Sequence, residues 1–415
     1  MLETLKFRRQ KLGANIKDNS LLILFSGDAP VRSGDQFYEY TPHRNFYYLT
    51  NLDRPKMAYV LRKFNGVMED YLFIETVSEV EEKWTGKRMS KEDAIEISGI
   101  KNVFPESELR NMLGRWLLNE GFENAYFDFE RGSYHHSDTI QILFAKELKR
   151  QYPFLHVQNI YHDITALRLI KSEDEIANMR TAIEKTRLGI ESLMRNSKPG
   201  MYEYQLEAYY NFTIKTEGVK KTSFHTIAAS GANATVLHYD KNDSICRDGD
   251  LILFDLGCEW NYYCSDISRT FPINGKFTDR QRDVYQAVLD AQLATIEIIK
   301  PGVSLQDVNE FARRKLAEGC KKLGLIEKDE ELSKYYYHGI GHYLGLDTHD
   351  VGGRGGVLQP GMVITIEPGL YIAEEGIGIR IEDDALVTVD GAINLSEEII
   401  KEVNDIENYI VSNKK

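Results

Sequence analysis

The sequence predicts a two-domain α/β (α+β) protein, and three observations predict it. Strand-like and helix-like segments alternate over the first 165 residues. One order of segments occurs twice in the remainder: helix, Lys-Pro-Gly, helix, histidine-bearing loop, carboxylate after an apolar run. Four acidic residues close or interrupt apolar, β-branched stretches, where a lone carboxylate is costly unless it is paired or binds a metal. The division falls between residues 1–165 and residues 166–415.

In the first domain, residues 1–12 read as a short basic helix. SLLILFSG is a buried strand, and MAYVLRK and DYLFIE are two more, separated by turn residues. EEKWTGKRMSKEDAIEIS opens a helical pattern after a loop. ELRNMLGRWLLNEG spaces its apolar residues at i, i+3 and i+4 and stops at Gly121. NAYFDF is a strand and SDTIQILFAKELKRQY a helix. The tyrosine- and phenylalanine-rich YEYTPHRNFYYLTNL reads as packing, in preference to a ligand-stacking surface.

The second domain opens on a long helix, SEDEIANMRTAIEKTRLGIESLMRN, with Ser172 as N-cap and Glu175 as its capping-box partner. It ends at Lys198-Pro199-Gly200, and the helix YEYQLEAYYNFTIKTEG follows. The same order returns: RDVYQAVLDAQLATIEIIK ends at Lys300-Pro301-Gly302, before SLQDVNEFARRKLAEGCKKLG. A segment from His225 to Asp240 follows the first pair, and one from His338 to Asp350 the second. Gly249 precedes Asp255 by six residues, as Gly361 precedes Glu367. The matched order predicts an internal duplication whose copies meet about a pseudo-twofold axis.

Composition excludes several classes. The 415 residues carry a net charge of −13, against a nucleic-acid or anionic-membrane partner. MLETLKFRRQKLG lacks the apolar core of a signal peptide, and no apolar run approaches the roughly 18 residues of a membrane span. The four cysteines form no CxxC pair, which fits reduced thiols and a cytoplasmic location.

The duplication brings Asp255, Asp266, Glu367 and Glu382 to one centre. Their mutual repulsion demands cations, and two divalent ions about 3.5–4 Å apart are the usual solution. His342 completes an oxygen-rich shell with one nitrogen, which suits Mn2+, with Co2+, Fe2+ or Zn2+ as competitors. A water shared by the two ions would lose its proton near neutral pH and attack a polarised carbonyl. Each residue also has a plainer reading. Asp255 can be a turn residue, Glu382 can pair with Arg380 two positions away, and His225 or His338 can be structural.

HGIGHYLGLDTHDVG, EPGLYI and GIGIRIEDD resemble the pita-bread metallopeptidases, the methionine aminopeptidase and prolidase superfamily, and within it the proline-specific aminopeptidase P branch. LHYDKNDSICRDGDLILFDLGCEWNYYCSDISRTFPINGKFT is similar to that branch nearly throughout, and the resemblance covers the whole chain. It implies a creatinase/prolidase-like N-terminal domain and a C-terminal pita-bread catalytic domain. It implies hydrolysis of the N-terminal residue from peptides with proline second, with an Xaa-Pro dipeptidase (prolidase) as the alternative. A metal-free binding module or creatinase-like enzyme is disfavoured, since all five ligand positions are filled. By resemblance, Asp255 holds one metal, Asp266 and Glu382 are shared, and His342 and Glu367 hold the other. Glu367 also moves a proton at the attacking water. His238 and His349 are the two outer catalytic histidines, and His338 binds substrate. Arg380 and Tyr371 orient the carboxylates. Trp84 matches a tryptophan that lines the site from a neighbouring subunit, which implies a homodimer or homotetramer. DVGGRGGVLQPG is shorter and richer in glycine than in some relatives, so the resemblance is weaker at the cleft than at the metals.

Overall fold

The structure is a computed structural model that describes residues 1–353 and 355–413. Arg354, within the glycine-rich DVGGRGGVLQPG segment, lies outside the described residues. The chain divides into two compact units, Met1–Arg168 and Leu169–Lys415.

In the first unit, SLLILF is buried at all six positions, which suits a central strand covered on both faces. This Ser20–Phe25 strand pairs antiparallel with Ala58–Phe64 and parallel with Asn124–Phe127. Val67–Ile74 and Asn102–Pro105 extend the sheet on one side and His156–Asn159 on the other, making six strands. Leu21, Ile23 and Phe25 pack with Leu113 and Trp116 of the Leu109–Asn119 helix and with Phe144. The helical pattern of EEKWTGKRMSKEDAIEIS is carried by two helices, Glu79–Thr85 and Lys91–Ser98. Gly86 breaks the first at φ 85, and Ser90 starts the second with a capping box to Asp93. The aromatic YEYTPHRNFYYLTNL contains a short helix, Arg44–Thr50, with Phe46, Tyr47 and Tyr48 buried.

In the second unit the helix Glu173–Asn196 begins where the Ser172 amide donates to Glu175 Oε2 at 2.8 Å. It is followed by Glu203–Thr216, and the second copy supplies Asp279–Glu297 and Leu305–Lys322. The duplication repeats down to single hydrogen bonds. Gly200 N donates to Cys246 O at 2.8 Å, and Gly302 N to Leu358 O at 2.9 Å. Cys246 N donates to Met201 O and Leu358 N to Val303 O, both at 2.8 Å. Isolated bridges join Tyr202 to Ile245 and Ser304 to Val357. Gly249 and Gly361 turn the chain at φ 85 and 90, a region open to glycine. Each leads into an apolar strand, Leu251–Leu256 or Val363–Ile366. Each strand pairs antiparallel with a partner, Ile267–Pro272 or Asp383–Val387.

The copies meet along those partner segments, which run antiparallel past each other. Ser268 Oγ donates to Glu382 Oε2 at 2.7 Å, Glu382 N to Ser268 O at 3.1 Å, and Asp266 N to Asp384 Oδ2 at 3.3 Å. Among the described residues no helix is long and apolar enough to cross a membrane. Cys246, Cys258 and Cys320 are free thiols, and all four cysteines, Cys264 included, are buried.

Candidate metal centre

Four carboxylates reach the centre because of where the strands end. Asp255 is the penultimate residue of Leu251–Leu256, and Glu367 directly follows Val363–Ile366. Asp266 directly precedes Ile267–Pro272, and Glu382 sits between Ile377–Arg380 and Asp383–Val387. They share the wall of a cavity of about 920 Å3 with His225, His238, His338, His342, His349 and Arg380.

His342 decides how the centre is read. Its backbone amide donates to Thr365 Oγ1 at 3.1 Å. Its Nδ1 lies 3.1 Å from the Tyr343 carbonyl, which can only accept, so Nδ1 carries the ring proton. Burial, with the neighbouring His349, holds this imidazole down at about 4. At neutral pH Nε2 therefore offers a lone pair, and it faces Asp266 Oδ2 at 3.4 Å and Glu367 Oε1 at 3.7 Å. Acceptors facing acceptors need protons or a cation between them.

The carboxylates report the same demand. Burial pushes Asp266 well above the ordinary carboxylate range, and the charges of Glu382 and Asp255 add to it. Burial does the same to Glu382, with Glu367 and Asp255 adding. Glu367 is pushed up to about 7 by burial, against the opposing pull of Arg380. Asp255 Oδ1 is buried with no hydrogen-bond partner. One ligand atom each from Asp266, His342 and Glu382 lie within 4.8 Å of one another. An orphaned carboxylate oxygen, a neutral imidazole and crowded buried acids are the donor set a divalent cation satisfies.

Behind the ligands runs a directional hydrogen-bond chain. Arg380 Nη2 donates to Asp255 Oδ2 at 2.6 Å, its Nε to Ser268 Oγ at 2.8 Å, and its Nη1 to Tyr371 Oη at 3.1 Å. Tyr371 Oη lies 2.8 Å from His338 Nε2, while His338 Nδ1 lies 2.7 Å from the Gly339 carbonyl. His338 thus donates through Nδ1 and accepts from Tyr371. Burial and the Arg380 charge hold it down at about 4, so it is neutral. The plainer pairing of Glu382 with Arg380 is corrected. Arg380 ends its strand, and its guanidinium faces Asp255 while Glu382 accepts from Ser268.

The remaining candidates are placed as follows. His349 packs edge-on to His342, ring centroids 4.3 Å apart, and is exposed to the cavity, as is His238. His225 lines the same cavity, with Nε2 3.1 Å from the Asp240 carbonyl. Trp84 belongs to the other unit, on the Glu79–Thr85 helix, with its ring 86% exposed. Three contributors were absent from the sequence reading. Ser268 links Arg380 to Glu382, and Asp384 receives the Asp266 amide. Lys171 Nζ meets Asp350 Oδ2 at 3.0 Å in full burial, beside His349. Ser268 had a signal: it stands opposite Asp255 in the antiparallel register, two residues beyond Asp266.

Residues 177–389 match the model of metallopeptidase family M24, and residues 5–124 match that of the aminopeptidase P N-terminal domain. The chain belongs to metallopeptidase family M24. It is 35% identical over 436 residues to the Xaa-Pro aminopeptidase of Escherichia coli (strain K12), covering 98% of this chain and 97% of that one. A Bacillus anthracis structure, described as that of a candidate aminopeptidase P, superposes with a TM-score of 0.98 at 48% identity, covering 100% of this chain and 99% of that one. A zinc-substituted E. coli aminopeptidase P in complex with product superposes with a TM-score of 0.91 at 34% identity, covering 100% and 99%. As an M24 metallopeptidase with a pita-bread domain, this chain works with divalent metal ions, and the donor set described above fits them.

Proposed function

We propose that this M24 chain is an Xaa-Pro aminopeptidase, removing by hydrolysis the N-terminal residue of peptides with proline second. The observation that carries this is the convergence of Asp255, Asp266, His342, Glu367 and Glu382 on one cavity. Support for the substrate class comes from the near full-length similarity to the E. coli Xaa-Pro aminopeptidase. Asp255 would hold one ion, His342 and Glu367 the other, and Asp266 and Glu382 both. Mn2+ is the proposed metal, with Co2+, Zn2+ and Fe2+ as substitutes. Bound divalent ions supply Lewis-acid polarisation of the scissile carbonyl and acidify an attacking water.

The chain's own residues do the rest. Arg380 keeps Asp255 oriented and compensated by charge. Ser268 fixes the Glu382 carboxylate. Glu367, on the cavity wall beside His342, is placed to take a proton from the attacking water and return it to the leaving nitrogen. His238 and His349 face the cavity, where they can donate hydrogen bonds to a carbonyl oxygen as it gains charge. His338, neutral and held by Tyr371, presents a fixed surface to substrate. A cytoplasmic homodimer or homotetramer, with Trp84 lining a neighbouring subunit's site, completes the proposal.

The test compares chelated protein with and without Mn2+ on Arg-Pro-Pro and Gly-Pro. Metal-dependent release of arginine from the tripeptide is the expected result. Cleavage of the dipeptide alone would make the chain a prolidase. No cleavage with any divalent ion would overturn the proposal.

A further inference from the structure

The loop that carries two of the centre's histidines has little regular structure of its own. From His342 to Asp350 the backbone belongs to no helix or strand and makes one isolated bridge, Tyr343 to Ile364. His349 is exposed to the cavity, so its own packing holds it weakly. Its neighbour Asp350 is buried, and what binds Asp350 therefore sets where His349 stands.

Two contacts of Asp350 bear on the centre. Its amide donates to the Tyr343 carbonyl at 2.8 Å, the same oxygen that lies 3.1 Å from His342 Nδ1 and fixes that ring's tautomer. Its carboxylate meets Lys171 Nζ at 3.0 Å, with both side chains 1% exposed. Lys171 also binds through its backbone, its amide donating to the Gly361 carbonyl at 2.8 Å. Gly361 turns the chain into Val363–Ile366, the strand before Glu367. One residue thus ties the His342–Asp350 loop to the start of the strand that delivers Glu367. The fit is close. A Cβ at Gly345 would lie 2.3 Å from Asp350 Oδ2 and 3.0 Å from Lys171 Cε.

The fold does not itself require a buried charge here, as the other copy of the repeat shows. Lys171 directly precedes Ser172, the N-cap of Glu173–Asn196, and Phe277 directly precedes Thr278, the N-cap of Asp279–Glu297. Each helix start reaches the turn glycine of the opposite copy: Lys171 N meets Gly361 O, and Gln281 Nε2 meets Gly249 O at 2.8 Å. Phe277 fills its place with a buried ring. A buried ion pair adds little or nothing to stability over apolar residues of similar volume. What the ammonium adds is direction, since it fixes one carboxylate oxygen where an apolar side chain would fix none.

We propose that the Lys171–Asp350 pair is a positioning device for the metal centre, holding the His342–Asp350 loop so that His342 Nε2 and the His349 ring face the cavity. Lys171 acts through Asp350 and is a positioning residue. Its effect on turnover rests on the peptidase reading, and its effect on metal binding does not.

The test uses Lys171→Met and the double variant Lys171→Met with Asp350→Leu, each in the intact chain. Lys171→Met leaves a buried carboxylate without its cation and should lower the melting temperature. The double variant removes both charges, and its melting temperature should return toward that of wild type. If the pair served stability alone, the double variant would regain function as well. Positioning predicts otherwise. Its Mn2+ affinity by calorimetry should fall about 10–100-fold. At saturating Mn2+, kcat on Arg-Pro-Pro should fall about 10-fold or more with KM little changed. If Lys171→Met unfolds, the double variant decides. A wild type that cleaves no peptide overturns the peptidase reading, and Mn2+ affinity then decides the positioning by itself. A folded double variant with wild-type Mn2+ affinity and wild-type kcat overturns the proposal.

Discussion

Arg380 shows how much of the centre depends on a side chain that would not itself touch a metal. It is buried, and its three donor atoms reach Asp255, Ser268 and Tyr371, so one guanidinium sets a ligand, a ligand's partner and the tyrosine that holds His338. A lysine has one nitrogen and no planar fork, so it cannot replace these contacts. Arg380→Lys is expected to weaken divalent-metal binding about 10–100-fold, as other losses behind metal ligands do. Arg380→Met leaves Asp255 without its cation and is expected to cost roughly 3–5 kcal/mol in a urea unfolding titration of the chelated protein. Metal affinity and stability unchanged in both variants would remove Arg380 from this role. Arg380 was legible in the sequence only through family resemblance; its spacing suggested Glu382 as partner. The two side chains do lie on one face, where both meet the Ser268 hydroxyl, but the guanidinium turns to Asp255 and not to Glu382.

Elements position the histidine as tightly as they position the acids. Gly341 directly precedes His342, and a Cβ there would lie 1.9 Å from the Thr365 carbonyl oxygen. A backbone oxygen at that distance cannot give way without moving the strand that leads to Glu367. Gly339, two residues earlier, has nothing within 4 Å of such a Cβ. Gly341→Ala should therefore lose about 1–3 kcal/mol of stability and weaken metal binding, while Gly339→Ala stays within about 0.5 kcal/mol of wild type. Equal urea midpoints for the two variants would show that the close approach is not maintained in solution. The first copy repeats the constraint at Gly257, whose Cβ would lie 1.9 Å from the Ser265 carbonyl oxygen. Helices and strands were readable from period, caps and Lys-Pro-Gly stops. The break at Gly86 was not, because EEKWTGKRM and SKEDAIEIS each have helical character and only the backbone at Gly86 separates them.

Across the catalytic unit, burial of three acids, Asp266, Glu367 and Glu382, ties metal uptake to protons. With no metal bound, burial raises the Asp266, Glu367 and Glu382 carboxyls, Glu367 to about 7, so at neutral pH the site retains protons that a cation must displace. Metal affinity should fall as pH drops below about 7. Calorimetric heats of metal binding should differ between two buffers of different ionisation enthalpy, and equal heats would mean that no proton leaves. Chelation should lower the melting temperature, since metal at 100 times its Kd stabilises by about 2.7 kcal/mol. The sequence by itself determined the two-part α/β organisation and singled out the repeated order and the five residues Asp255, Asp266, His342, Glu367 and Glu382, which the structure brings to one cavity. Repeated order and apolar period are local properties, and a carboxylate in a β-branched run is anomalous wherever it occurs. Tertiary structure alone decided which neighbour each polar atom meets. It set Arg380 on Asp255, Ser268 between Arg380 and Glu382, the proton on His342 Nδ1, and Lys171 on Asp350. Those depend on how two strands from different copies run past each other, and on which residue the loop after His342 folds against. Neither quantity is carried by the spacing of residues along one chain.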